Sequence, residues 1–151
     1  MSNWLTITTN DLNDAKVSAL VDALRNVALA AGQTDPSPRV IQSVITRIRA
    51  EVKGCAKNLL DADTTKIPAD LKDLAARMIL RQLKSRLEIP LTDDELTEQK
   101  NDLRYLERIA ACDIPIDQPD NPVEGETQVV SGTPMIQEKR HRFSSRHQEG
   151  L

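Results

Sequence analysis

Aromatic residues are almost absent from this sequence, which has one tryptophan, one tyrosine and one phenylalanine among 151 residues. A core must therefore be built from Leu, Ile, Val, Ala and Met, and this composition favours packed helices over a β-sandwich. The five glycines are scattered singly, so the sequence offers no glycine-rich phosphate-binding loop. The formal net charge of −3 does not by itself indicate a nucleic-acid binder.

Residues that carry chemistry are also few. Cys55 and Cys112 lie in apolar stretches without C-x-x-C spacing, so we predict reduced core cysteines of a cytosolic protein rather than a disulfide or a zinc site. His141 and His147 lie outside every predicted helix, which leaves a hydrolase that uses Cys55 or a histidine as the weakest hypothesis. The acids at 93–95 fit the first turn of a helix. We predict no enzyme, catalytic residue, cofactor or metal.

Long apolar runs are missing as well. Polar residues, among them Asn3, Asn10 and Asp11, interrupt the first residues, so we expect no signal peptide. No apolar stretch approaches the length that spans a bilayer. The expected protein is made in the cytoplasm of its host and does not contact a membrane.

Apolar residues at three- and four-residue steps predict four helices, each with boundary signals. Thr8 and Asp11 resemble a cap for the first helix, and Gly32 ends it. Ser37 is the expected N-cap of the second helix, with Pro38 in its first turn. The predicted helices cover about 10–31, 38–60, 68–88 and 93–112.

The last two helices carry comparable signals. Pro68 is the expected start of the third helix, and Pro90 its end. Thr92 and Glu95 form a capping box for the fourth. The periodicity turns Val27 of the first helix and Leu96 of the fourth toward the core.

After residue 112 the helical period stops. The stretch "DIPIDQPDNPVEGETQ" is rich in proline and acids and is typical of an extended linker, while residues 129–136, "VVSGTPMI", could form one or two short strands. Such a composition is either disordered or ordered by a partner. We therefore predict an all-α protein: a four-helix bundle-like domain at 1–112, then a long extended C-terminal arm at 113–151.

The second helix has a cationic outer face. On it, Arg49, Lys53 and Lys57 form an i, i+4, i+8 ladder that could contact phosphates. The alternatives are a solvated face paired with acids of a neighbour and a non-specific DNA contact; sequence-specific readout is not expected. The residues of this basic face are Arg39, Arg47, Arg49, Lys53 and Lys57.

Two aromatic residues fall outside the predicted helices. Trp4 either pins the N-terminus onto the bundle or serves as an interface anchor on a neighbouring subunit. Phe143 lies in a basic end that suits an acidic surface on another chain. The candidate partner-binding residues of the arm are Lys139, Arg140, Arg142, Phe143, Arg146 and Leu151.

The order of these segments resembles that of the head–tail adaptor (connector) proteins of tailed phages, and of the Mu-type prophage adaptor family in particular. The matching stretches are "VIQSVITRIRAEV", "IPADLKDLAARMIL", "RLEIPLTDDE" and "LRYLERIA", followed by a proline-rich stretch and the arginine-bearing tail. The sequence departs from the family at "CAKNLLDADTTK", where many relatives have a Tyr-Leu-x-x-Arg-Tyr-like stretch.

The resemblance implies a structural virion protein of the neck. Such adaptors form a ring, expected to be a dodecamer, beneath the portal protein, extend the channel for packaged DNA, and present a platform to the next neck or tail-terminator protein. The helical bundle would form the ring wall, and the C-terminal arm would dock on the portal. DNA would pass through the channel without specific contacts. The alternative function is a small helical DNA-binding or regulatory protein that uses the basic face of the second helix.

Overall fold

A computed structural model describes residues 2–9, 11–12 and 15–123 of the chain, and it is mostly helical. The four predicted helices are present among these residues, together with two three-residue strands and a short 3₁₀ helix. In chain order the elements are β1 Trp4–Thr6, α1 Ala15–Ala30, α2 Ser37–Gly54, β2 Lys66–Pro68, the 3₁₀ helix Ala69–Leu71, α3 Lys72–Arg86 and α4 Asp93–Ala110.

Two boundary predictions are confirmed by their hydrogen bonds. Thr92 Oγ1 accepts from the Glu95 backbone N–H, and the Glu95 carboxylate accepts from the Thr92 N–H, so the capping box of α4 is complete. Gly32 has φ +69°, a left-handed conformation that glycine adopts without steric cost. At this glycine the N–H of Gln33 donates to the Ala28 carbonyl and α1 ends.

Three predicted helix limits were wrong. The first helix begins at Ala15 rather than near residue 10, and residues 11–12 form a turn. The second helix ends at Gly54 rather than near 60, because Cys55 is extended and the Asn58 side chain donates to the Val52 carbonyl. The third helix begins at Lys72 rather than at Pro68. Pro68 instead ends β2, which pairs antiparallel with β1 in the register Trp4 with Pro68, Leu5 with Ile67 and Thr6 with Lys66.

Two predicted N-caps were also wrong. Asp11 accepts from both the N–H and the hydroxyl of Thr8, so this pair closes a turn that precedes α1 rather than capping the helix. Ser37 is the first residue of α2, and its Oγ has no hydrogen-bond partner. The Asp35 carboxylate accepts from the Ser37 N–H instead, which lowers the pKa of Asp35.

Helix α2 is the centre of the domain and packs against both α3 and α4, while α1 packs mainly on α3. Most of the buried hydrophobic side chains are aliphatic, as the composition predicted, and Trp4 is the buried aromatic residue among those that the structure describes. Gly54 makes room for α4, since a Cβ there would lie 2.9 Å from the Cβ of Ala110. The largest fully buried side chains are Trp4, Ile45, Ile48, Ile67, Leu71, Ile79, Leu83, Leu106, Ile109, Val40, Val44 and Val52.

Two residues predicted to face the core are exposed: Val27 of α1 is 60% exposed and Leu96 of α4 is 42% exposed. Leu29 of α1 is also 60% exposed. Helical periodicity predicts which residues form the apolar stripe of a helix, but it does not predict how much of that stripe a neighbouring element covers. Helix α1 contacts the rest of the domain along a narrower strip than its sequence suggests.

The beginning of the predicted arm belongs to the packed domain. Ile114 and Ile116 pack against the core, and the Asp117 carbonyl accepts from the Trp4 indole N–H at 2.9 Å. The Val123 N–H then donates to the Leu60 carbonyl at 3.0 Å. Residues 113–123 therefore cover the domain instead of leaving it at residue 112, and the strands predicted at 129–136 lie outside the described residues.

The prediction of reduced core cysteines was wrong. Cys55 and Cys112 form a disulfide, with their Cα atoms 5.1 Å apart. Cys55 follows the last residue of α2 and Cys112 lies two residues beyond α4. Because these two helix ends converge at Gly54 and Ala110, cysteines 57 positions apart in sequence become neighbours.

Candidate interaction surfaces

The basic face of α2 is smaller than the sequence suggested. Arg39, Arg47 and Lys53 are exposed on the helix, and Lys57 is exposed but lies beyond its end. Arg49 is buried, with 9% of its surface exposed. The ladder of Arg49, Lys53 and Lys57 therefore does not exist as a continuous helical surface.

Arg49 holds the loop that follows α2. Its guanidinium donates to the backbone carbonyls of Asp61, Asp63 and Lys66 at 2.7, 3.0 and 2.8 Å. Burial lowers the pKa of Arg49, and the nearby carboxylates of Asp61 and Asp63 act in the opposite direction. Arg49 supplies the side-chain donor for the Asp61 and Lys66 carbonyls and a second donor for the Asp63 carbonyl, which also accepts from the Lys66 N–H at 3.2 Å.

Trp4 is not an interface anchor. Its side chain is 1% exposed, and the Arg49 guanidinium carbon lies 5.6 Å from the centre of its ring, within the range of a cation–π contact. With its indole N–H bonded to the Asp117 carbonyl, the ring joins β1, α2 and the 113–123 segment. The other prediction for Trp4, that it pins the N-terminus onto the bundle, is confirmed.

A buried charge cluster joins α3 to α4. Asp102 of α4 accepts from Arg77 at 2.7 Å and from Arg81 at 2.5 Å, and Glu98 lies 3.9 Å from Arg81. Burial would raise the pKa of Asp102, but the hydrogen bonds from Arg77 and Arg81 outweigh it and hold the pKa below its ordinary value of 3.8. The sequence contains a signal for this residue, because Asp102, Leu106 and Ile109 follow one i, i+4, i+7 stripe.

This cluster borders a cavity of about 270 Å³ between α2, α3 and α4. Apolar walls come from Met78, Leu91 and Leu103, and Arg81 and Asp102 are among its polar residues. Since Arg81 and Asp102 already bond each other, the buried charges are satisfied within the protein.

An open groove of about 700 Å³ lies between α1, the end of α3 and the start of α4. Leu20, Leu80 and Ile89 form its apolar floor. One rim is acidic, with Asp94 and Glu98 exposed to solvent. Lys84 and Glu95 also line the groove and pair with each other, and the hydrogen bond from Lys84 lowers the pKa of Glu95. The groove is a concave apolar surface beside negative charge, and no sequence pattern predicts it.

Both histidines and all candidate partner-binding residues of the arm lie outside the described residues. These arm residues are Lys139, Arg140, Arg142, Phe143, Arg146 and Leu151. Within residues 2–9, 11–12 and 15–123, no group of three or more His, Cys, Asp or Glu side chains is arranged to hold a metal ion. None of the helices in that part of the chain has the length and apolar character needed to cross a membrane.

Comparison of the chain with models of known protein families, with curated proteins and with solved structures gave no match.

Proposed function

We propose that this chain is a structural neck protein of a tailed phage or prophage, a head–tail adaptor whose copies form a ring beneath the portal protein. In this role the ring extends the DNA channel and carries the next neck or tail protein. The helical domain forms the ring wall, and the C-terminal segment, with Arg142 and Phe143, binds the portal.

The observation that carries the proposal is where the sequence segments that resemble the adaptor family lie in the fold. "IPADLKDLAARMIL" covers most of β2, the 3₁₀ helix and the first part of α3, and "RLEIPLTDDE" covers the turn from α3 to α4. "LRYLERIA" contains the buried Leu106 and Ile109 of α4. In this chain the segments that carry the resemblance therefore coincide with structural units, which supports the proposal.

The exposed apolar side chains of α1 support self-association. Val27 and Leu29 are each 60% exposed, although a soluble helix usually turns such residues inward. Because residues two apart in a helix point to nearly opposite sides, a ring would cover them with two different neighbouring surfaces. Weak subunit contacts of this kind gain strength on a portal because many arms act together.

Mixing the full chain with the portal protein encoded alongside it, followed by electron microscopy, tests the proposal. We expect rings on the portal, and we expect portal binding to be lost when residues 134–151 are deleted. Phe143→Ala should weaken binding strongly, whereas Ser144→Ala next to it should bind as the parent chain does. Unchanged portal binding by the deletion variant would refute the role of the arm.

The ring contact can be tested separately. Val27→Lys places a charge on the exposed face of α1 and should prevent ring formation without unfolding the domain, since this side chain is not buried. Gln42→Lys adds the same charge at an exposed site of α2 and is the matched control. Rings that form equally well with both variants would exclude α1 as the subunit contact.

The alternative function is a small helical DNA-binding or regulatory protein. It is favoured by the exposed cations on and just after α2, which are Arg39, Arg47, Lys53 and Lys57. That function requires affinity of the isolated chain for DNA that falls steeply with salt. Replacing Arg39, Arg47 and Lys53 by Glu should then abolish the affinity. Absence of a mobility shift at low salt would remove this alternative.

A further inference from the structure

We propose that the groove between α1, α3 and α4 is a docking site for residues 138–147 of the same chain, with Phe143 on the floor formed by Leu20, Leu80 and Ile89. This inference goes beyond the proposed function, since it requires neither a portal nor a ring. It assigns an occupant to an apolar concave surface in the described part of the chain.

The first argument is chemical complementarity. The floor is apolar, and a volume of about 700 Å³ lies within the range of ligand pockets, roughly 300–1,000 Å³. Phe143 is the one phenylalanine of the sequence and is surrounded by polar residues, so no neighbour in sequence helps it to be buried. An aromatic ring is the side chain that gains most from such a floor.

The second argument is charge. The segment "EKRHRFSSRH" has four basic residues and one acid, with arginines immediately before Phe143 and three residues after it. The groove has an acidic rim: Glu95 is paired with Lys84, and Asp94 is exposed. Glu98 lies 3.9 Å from Arg81, while 57% of its side chain stays exposed. Arginines can therefore approach the two exposed carboxylates when the ring lies on the floor.

The third argument is reach. Val123 is bonded to Leu60, near the shared C-terminal ends of α2 and α4, whereas the groove is at the start of α4. The separation is about one helix length, and an 18-residue helix is roughly 27 Å long. The twenty residues from Val123 to Phe143 span up to about 65 Å when extended, so the chain is long enough. A tether of this length gives an effective concentration on the order of millimolar, which favours docking within one chain.

A photoreactive benzoylphenylalanine at position 143 of the full chain tests the proposal. After irradiation at low salt, we expect crosslinks to Leu20, Leu80 or Ile89, mapped by mass spectrometry, in the monomeric product. Docking within the chain would be refuted by any of three results: crosslinks confined to another surface, crosslinks only between two chains, or no crosslink at all.

The rim provides matched variants. Asp94→Asn with Glu98→Gln should reduce the crosslink yield about fivefold, as expected for two partly screened ion pairs. Glu107→Gln with Asp113→Asn removes two exposed acids away from the groove and should leave the yield unchanged. Equal yields from both double variants would contradict the assigned rim.

A second measurement does not depend on the photoreactive group. Phe143→Ala in the full chain should shift the amide resonances of the groove residues and leave those around Arg39 in place. Portal binding is measured independently: a chain that crosslinks to the groove but binds no portal would refute only the proposed neck function. A chain that binds portal without the crosslink would refute only the docking site.

Discussion

The two ends of the domain are held together by different chemistry. At the disulfide end, where α2 and α4 finish beside the 55–66 loop, Cys55 is bonded to Cys112 and a buried arginine donates to neutral carbonyls. At the groove end, around the α3–α4 turn, carboxylates carry the contacts: Glu95 bonds Lys84, and further along α4 Asp102 bonds two arginines.

This difference determines how each end responds to solution conditions. A carbonyl does not titrate and arginine stays charged, so the contacts of Arg49 are independent of pH across the acid range. The carboxylate contacts weaken when the acids are protonated. The loop at the disulfide end also has carboxylate contacts, since Asp63 accepts from the N–H and the hydroxyl of Thr65, and these bonds lower its pKa. We therefore expect reductant to act on the disulfide end and acid to act most strongly on the groove end, where the ion pairs of Asp102 are buried.

The largest expected effect is loss of the disulfide. Closing a loop of 57 residues restricts the unfolded chain, so replacing both cysteines by serine should lower the free energy of unfolding by about 4 kcal/mol. Urea unfolding under oxidising conditions measures this difference. Reductant should bring the parent chain close to the stability of the Cys55→Ser/Cys112→Ser variant and should not change the variant itself. A parent chain indifferent to reductant would contradict the bond.

Removing the buried arginine should have the next largest effect. Arg49→Met keeps much of the side-chain volume but removes three hydrogen bonds to loop carbonyls, of which only that of Asp63 has a second backbone donor, and this should cost about 3 kcal/mol. Arg47→Met makes the same change on the exposed side of α2 and should remain within about 0.5 kcal/mol of the parent chain. Chemical denaturation of the two variants gives the comparison, and equal losses would show that Arg49 does not hold the loop.

At the groove end, Asp102→Asn removes the charge that Arg77 and Arg81 share. The amide can still accept a hydrogen bond, so we expect a loss of about 2 kcal/mol at neutral pH. Glu107→Gln, an exposed change on the same helix, should have little effect in thermal or urea unfolding.

The pH dependence follows from the depressed pKa of Asp102. When the pH is well above the ordinary Asp pKa of 3.8, Asp102 is ionised in both the folded and the unfolded chain, and its stabilisation of the fold is fully present. As the pH falls below that value the unfolded state takes up the proton first, so the stabilisation declines through the folded pKa. The difference between the parent chain and Asp102→Asn should therefore shrink from pH 5 to pH 2. A constant difference would contradict the ion pairs.

The smallest expected effect concerns the turn after α3. Glu88 has φ 56°, a left-handed conformation that costs a residue with a Cβ free energy. Glu88→Gly should raise the free energy of unfolding by about 0.5–1 kcal/mol. This is the gain from relieving the backbone strain minus the cost of the greater conformational entropy that glycine has in the unfolded chain. Glu88→Ala keeps the strain while removing the carboxylate, so it should not gain stability. A gain in both variants would point to the side chain instead of the backbone.

Part of the candidate surfaces could be predicted from the sequence. The exposure of Arg39 and Arg47 follows from helical periodicity, and so does the burial of most of α2. Arg49 could not be placed, because it lies at the edge of the buried stripe and becomes buried only when the 61–66 loop folds over it. The groove was not predictable either, since its walls come from three segments whose packing no local pattern encodes.

Within the described residues, the sequence by itself determined the four helices, the capping box at Thr92 and the helix stop at Gly32, because these depend on contacts within a few residues. Only the tertiary structure decided the disulfide, the burial of Arg49 and the attachment of residues 113–123 to the domain. Each of these joins positions far apart in the chain. Their free energy exists only after the helices have packed, so no local propensity could reveal it.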